Sequence, residues 1–229
     1  MSHPIPAPKD AELATDSAAG SGLVSMRLFS PFFEDDRVTI YHGDCRQIVP
    51  TLGRFDLLLT DPPYGIGEHG GKARTRGKST ANHEKMGWDN APPEKWVLDM
   101  LRDKCDKKMI FGGNYFDLPP SRCWLYWRKL MGGDFADGEL VWTSLDAVVK
   151  EFTKPNKGGK NKHPTQKPLE VMQWCIQQAG EVETILDPFA GSGTTGEAAK
   201  HLGKRAVLIE REEKYCEIAA NRLAQEVLF

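Results

Sequence analysis

Five short runs along the chain are apolar at nearly every position: VTIYH from Val38 to His42, FDLLLTD from Phe55 to Asp61, KMIFGG from Lys108 to Gly113, TILDP from Thr184 to Pro188 and AVLIE from Ala206 to Glu210. A strand that is continuously apolar, without in–out alternation, is buried on both faces, as in a parallel sheet covered by helices on each side. Helical patterns fall between the runs, at Pro92 to Cys105, Pro168 to Ala179, Thr194 to Leu202 and Glu213 to Ala224, with Pro168 suited to a first helical turn. This alternation predicts an α/β fold with a mostly parallel central sheet. The segments CWLYWRK (Cys123 to Lys129) and GELVWTS (Gly138 to Ser144), separated by a Gly- and Asp-rich turn, predict an antiparallel pair at one edge.

The 229 residues fit one domain. Residues 1–25 mix Pro, Ala, Ser, Gly and Asp without apolar periodicity and are expected to form a flexible tail, leaving 26–229 as the domain. No apolar run approaches 18 residues and the N-terminus lacks a basic start followed by an apolar stretch, so neither a membrane span nor a secretory leader is expected, and the protein is expected in the cytoplasm. Five scattered cysteines without a CxxC spacing argue against a disulfide framework and against a zinc site, and no metal is expected. The net charge of −2 conceals an asymmetry: residues 62–167 carry 19 Lys and Arg against 13 Asp and Glu, while both flanking segments are net acidic. A basic middle of this kind suits a polyanionic partner.

Two motifs carry chemistry. In TILDPFAGSGTTGEAA, strand, glycine loop and helix succeed one another, and Gly191, Gly193 and Gly196 satisfy GxGxxG. Glu210 ends the next strand, where a carboxylate can accept hydrogen bonds from ribose hydroxyls, so a nucleoside-containing cofactor is expected. Glu197 stands where a phosphate-binding loop needs lysine. Only 19 residues follow Glu210, so strands that came earlier must complete the sheet, and the domain is circularly permuted relative to a dinucleotide-binding scheme. The second motif is Thr60-Asp61-Pro62-Pro63-Tyr64-Gly65, directly after a strand. Its prolines fix φ and remove two N–H donors, which leaves a stiff turn presenting acceptors beside a carboxylate and an aromatic plane. A primary amine on a flat heterocycle needs that set: Asp61 and the Pro62 carbonyl to accept its N–H groups, Tyr64 to stack on the ring.

Together TDPPYG and DPFAGSGT resemble the S-adenosylmethionine-dependent DNA amino-methyltransferases, which modify adenine N6 or cytosine N4, over about Arg37 to Arg222. The motif order is similar to the permuted β class, and the resemblance implies a Rossmann-like methyltransferase fold. It implies that Asp61, Pro62, Pro63 and Tyr64 form the catalytic turn that holds the target base. Asp187, Phe189, Gly191 and Gly193 would line the methionine side of the cofactor and Glu210 would take its ribose. Asp44, in HGDC, would lie near its adenine, and Thr165 and Lys167, in KHPTQKP, would contact its carboxylate. The implied reaction is direct methyl transfer to a base flipped out of duplex DNA. The chain contains no Pro-Cys pair, the usual setting of the cysteine that 5-methylcytosine chemistry needs.

The loop 65–90 is long, glycine-rich and basic, as expected of a mobile cover that meets DNA through Lys72, Arg74, Arg76 and Lys78. Residues 145–162, where the family places target recognition, are short, and Lys154, Lys157 and Lys160 there suit phosphate contacts. The resemblance implies adenine as the target, since the family's N4 members more often carry Ser where this chain has Asp61, with cytosine N4 as the alternative. RNA or protein-glutamine methylation, a nicotinamide-dependent oxidoreductase and an inactive DNA-binding module remain open from the residues alone.

Overall fold

The protein is described by a computed structural model covering residues 28–66, 91–130, 136–155 and 166–225. The strands are β1 (Phe33–Glu34), β2 (Val38–His42), β3 (Phe55–Thr60), β4 (Cys105–Phe111), β5 (Trp124–Arg128), β6 (Gly138–Thr143), β7 (Lys150–Thr153), β8 (Thr184–Asp187) and β9 (Arg205–Glu210). The helices are α1 (Cys45–Ile48), α2 (Lys95–Asp103), α3 (Leu169–Gln178), α4 (Thr194–His201) and α5 (Glu213–Leu223). All nine strands join one sheet in the order β1-β2-β9-β8-β3-β4-β6-β5-β7. The five strands from β2 to β4 run parallel.

The continuous apolar runs are explained by what lies on either side. Along β3, Leu57 and Leu59 pack with α3, α4 and α5 through Val171, Met172, Ala198, Ala219 and Leu223. Leu58 faces the other way, toward Ile48 of α1 and Val97 and Leu101 of α2. The same alternation runs through β4, where Met109 and Phe111 join the first cluster and Ile110 the second.

The antiparallel pair of β5 and β6 is present, with β6 also antiparallel to β4. Beyond it, Lys150–Thr153 adds to β5 as a parallel edge strand, within the short segment 145–162 where target recognition is expected. Pro168 occupies the position before α3, outside its first turn. The expected tail 1–25 and nearly all of the expected cover loop 65–90 lie outside the described residues.

The chain crosses from β3 through α2 to β4 on one side, and from β8 through α4 to β9 on the other. The neighbours β3 and β8 therefore bracket the point where strand order reverses, and the crevice at their carboxyl ends is where open α/β sheets bind ligands. Side chains clamp this pair at both ends. At the amino end, Asp56 accepts the Glu183 and Thr184 N–H groups, both at 2.8 Å, and the Thr184 hydroxyl at 2.9 Å. At the carboxyl end, buried Asp187 accepts the Thr60 hydroxyl at 2.8 Å, the Phe189 N–H at 3.2 Å and the hydroxyl of Thr195 in the first turn of α4. Burial outweighs these donors and pushes the Asp187 carboxyl up to about 6.

Two expectations follow. Leu57→Ala and Leu58→Ala, which empty opposite faces of the same strand, should each lose about 2 to 5 kcal/mol in urea denaturation; a near-neutral result at either would mean one face is not packed. The folded Asp187 carboxyl binds its proton more tightly than the unfolded one at 3.8, so its contribution to stability rises as pH falls through the window between the two values. Stability of the wild type relative to Asp187→Asn should accordingly increase from about pH 6 to about pH 4, and a pH-independent difference would contradict the raised value.

Candidate functional site

Directly after β3, Pro62 and Pro63 turn the chain so that Tyr64 folds back on Asp61, its hydroxyl donating to Asp61 Oδ1 at 2.6 Å. The Tyr64 ring stacks on Tyr115 at 5.0 Å and 18° and meets the edge of Phe116 at 6.1 Å. This position depends on Gly112 at the end of β4, which has φ +63 and where a Cβ would come within 2.2 Å of the Tyr64 ring. Of the amino acids, glycine alone tolerates that backbone together with that approach.

The second oxygen of Asp61 accepts from the Lys167 ammonium, which lies just before α3 and is only 8% exposed. Lys167 Nζ also lies 3.2 Å from Glu139 Oε2 on β6, and Lys129, just beyond β5, pairs with Glu139 Oε1 at 2.5 Å. The result is a chain of alternating charge, Lys129, Glu139, Lys167, Asp61, closed by the Tyr64 hydroxyl. Burial opposes the Lys167 ammonium, but Asp61 and Glu139 outweigh it and hold its pKa above the usual lysine range. Burial likewise opposes ionisation of Glu139, and Lys167 and Lys129 overcome it, so Glu139 stays below the usual carboxylate range. For Asp61 burial prevails over the attraction of Lys167, with Glu139 adding repulsion, and its pKa is raised.

On the other side of the crevice, β8 runs into Pro188, Phe189, Ala190 and the glycine loop. The three glycines serve different ends. Gly191, at φ +51, has open space where a Cβ would be, whereas a Cβ on Gly193 or Gly196 would come within 2.8 Å of Ala219 or Leu208. The first leaves backbone open to a ligand, and the other two let α4 sit close to α5 and β9. Glu210 Oε2 accepts the Gly191 N–H at 2.8 Å and Oε1 accepts the Glu212 N–H at 2.9 Å. Burial raises its pKa against those donors. A carboxylate offers about four acceptor positions, so two backbone donors leave room for hydroxyls. Asp44 sits one strand further along, capping α1 through the Arg46 N–H, and the Arg46 side chain holds its carboxyl below the usual range.

Asp44, Glu210, Gly191, Asp187, Asp61 and Tyr64 thus occupy successive carboxyl ends of β2, β9, β8 and β3. Two further residues are held by carboxylates. Lys167, read as a cofactor-carboxylate contact, lies between Asp61 and Glu139. Lys154, read as a phosphate contact, pairs with Glu170 at 2.6 Å. Thr165, Lys72, Arg74, Arg76, Lys78, Lys157 and Lys160 lie outside the described residues. Glu139, Lys129, Gly112, Tyr115 and Phe116 belong to the site without having been singled out. So does Arg222 of α5, which donates to Ser192 O at 3.1 Å and Thr194 Oγ1 at 2.8 Å and so braces the glycine loop. Among the described residues no cluster of His, Cys, Asp and Glu could hold a metal. The five cysteines are free and buried, and burial pushes the Cys45 thiol up to about 11, unsuited to nucleophilic work.

Comparison with known proteins agrees with this arrangement. Residues 126–221 match the DNA methylase family of N6 and N4 enzymes. The Type II methyltransferase M2.LlaDCHI of Lactococcus lactis subsp. cremoris is 39% identical over an alignment 254 positions long, gaps included, covering 84% of this chain and 91% of the relative. Two solved structures share the fold. One is the M1.HpyAVI–SAM complex, with a TM-score of 0.55 and 24% identity, covering 81% of this chain and 100% of that one. The other is the PvuII cytosine-N4-specific DNA methyltransferase, with a TM-score of 0.58 and 16% identity, covering 87% and 90%. With the acceptor turn and the glycine loop meeting at one strand reversal, the chain belongs to the S-adenosylmethionine-dependent DNA amino-methyltransferases of the N6/N4 family.

Proposed function

We propose that the protein methylates the exocyclic N6 of adenine in duplex DNA, acting on a base turned out of the helix. The observation that carries this reading is the union of Asp61 and Tyr64 with the glycine loop through Thr60 and Asp187, which sets an amine acceptor and a stacking plane beside the crevice at the carboxyl ends of β3 and β8. The residues of the crevice suit the cofactor: open backbone at Gly191, a partly buried Phe189 and an acceptor with spare capacity at Glu210. Glu210 would take the ribose hydroxyls, Asp44 would lie near the adenine, and Phe189, Gly191 and Gly193 would line the methionine side. Bound there, S-adenosylmethionine supplies an electrophilic methyl group.

The chain's own contribution is positioning and electrostatics. An exocyclic base amine is a poor nucleophile because its lone pair is delocalised into the ring. By accepting its two N–H groups, Asp61 and the Pro62 carbonyl draw that lone pair out of conjugation and aim it, while Tyr64 holds the ring plane. Lys72, Arg74, Arg76 and Lys78, with Lys157 and Lys160, would meet DNA phosphates.

The direct test is transfer of radiolabelled methyl from S-adenosylmethionine to duplex DNA, followed by digestion to nucleosides. Label in N6-methyldeoxyadenosine is expected; label in N4-methyldeoxycytidine would move the reading to cytosine, and no label in DNA would overturn it. Asp61→Ala should lower the rate on the order of 100-fold or more while leaving cofactor affinity nearly intact. Glu210→Ala should weaken cofactor binding by about 1.5 to 3 kcal/mol in calorimetry, and unchanged affinity would mean that Glu210 serves the loop alone.

A further inference from the structure

The Asp61–Lys167 contact sets a competitor beside any substrate amine, because an ammonium already shares one oxygen of the acceptor carboxylate and the Tyr64 hydroxyl the other, which leaves about two of its four acceptor positions. Glu139 offers the way out. It reaches in from β6, opposite Trp127 in the β5–β6 register, and meets Lys167 and Lys129 alike. Its Oε1 is taken by Lys129. Its Oε2 is buried and faces Lys167 Nζ at 3.2 Å, but among the described residues no well-aligned hydrogen bond reaches it. A buried carboxylate oxygen left short of a proper donor calls for an explanation.

We propose that Glu139 is a positioning residue for methyl transfer, its Oε2 being the acceptor to which the Lys167 ammonium turns when the substrate amine takes up Asp61. This rests on Asp61 as the amine acceptor. The ammonium needs only to redirect a hydrogen bond within its present position, so it stays neutralised throughout, and Asp61 gains acceptor capacity without stranding a buried cation. Without the Glu139 charge, Asp61 would be the sole anion available to Lys167, and the amine would have to displace a tighter ion pair.

The groups that face Asp61 are Tyr64 from its own turn, Lys167 from the segment before α3, Glu139 from β6 and Asp187 from β8; Lys129 faces Glu139, and Tyr115 faces Tyr64. Glu139 repels charge on Asp61, so its removal makes Asp61 easier to ionise.

In Glu139→Gln the rate of methyl transfer at saturating substrate should fall roughly 10- to 100-fold. The KM for S-adenosylmethionine should stay close to wild type, and the acid limb of kcat/KM should move down by roughly one pH unit. Glu139→Asp keeps the charge and should retain the wild-type acid limb. Should Glu139→Gln fold poorly, the double variant Glu139→Gln, Lys129→Met keeps the network balanced in charge and should show the same shifted limb. A merely structural Glu139 would lower stability and leave the pH profile in place, which overturns the proposal, as would a wild-type rate in Glu139→Gln. Wild-type protein that fails to methylate DNA amino groups would instead overturn the reading of Asp61, and the proposal with it.

Discussion

The hydrogen bonds that Asp187 accepts from Thr60 and Thr195 tie the end of β3, 127 residues away in the chain, to the end of β8 and the first turn of α4. The acceptor turn follows Thr60 by one residue, and the glycine loop lies between Asp187 and Thr195. Any shift of one strand past the other would therefore move the amine acceptor relative to the cofactor crevice. Direct transfer between two bound partners is sensitive to misplacement on the scale of an ångström. A rigid, buried carboxylate at the join is a means of holding that distance, and Asp56 repeats the device at the far end of the same strand pair, so that β3 and β8 are fixed in register as well as in spacing.

The site combines groups that burial would by itself discharge. Lys167 and Glu139 keep their charges because each lies between two partners of opposite sign, whereas Asp61 and Glu210 remain less willing to ionise than ordinary carboxylates. The difference follows the chemistry. Lys167 and Glu139 have only to hold position. Asp61 and Glu210 must present acceptors to incoming ligands, and their present partners are ones that a ligand can share or displace.

How much of this could be read from the chain depends on sequence separation. The strands β2, β3, β8 and β9 were legible within a residue because burial on both faces leaves an unbroken apolar run, and the acceptor turn and glycine loop because proline and glycine constrain the backbone locally. The start of β4 was missed because Cys105-Asp106-Lys107 reads as polar, although Lys107 reaches out to the carbonyls of Ala179 and Glu181. Helix α1 is too short for periodicity, and Lys150–Thr153 is a strand only because β5 offers it a partner. Nothing local marks Glu139 or Tyr115. Their roles arise from contacts with Lys167 and Tyr64, which the sheet order brings close and the sequence keeps apart. Lys167 was found, but its motif spoke for the cofactor while the fold gave it a carboxylate partner 106 residues away.

The two ends of the sheet bear on how the protein behaves at high concentration. An open edge exposes unpaired N–H and C=O groups that can recruit a strand from another molecule. Here one edge is β1, of two residues, and the other is β7, Lys-Glu-Phe-Thr, whose first two side chains are charged and exposed. Neither provides a long, flat apolar template. The apolar strands that would be most prone to stack between molecules, β3, β8 and β9, are enclosed on both sides by their neighbours, so the same strand order that assembles the crevice also keeps the stickiest parts of the chain out of reach while the protein is folded.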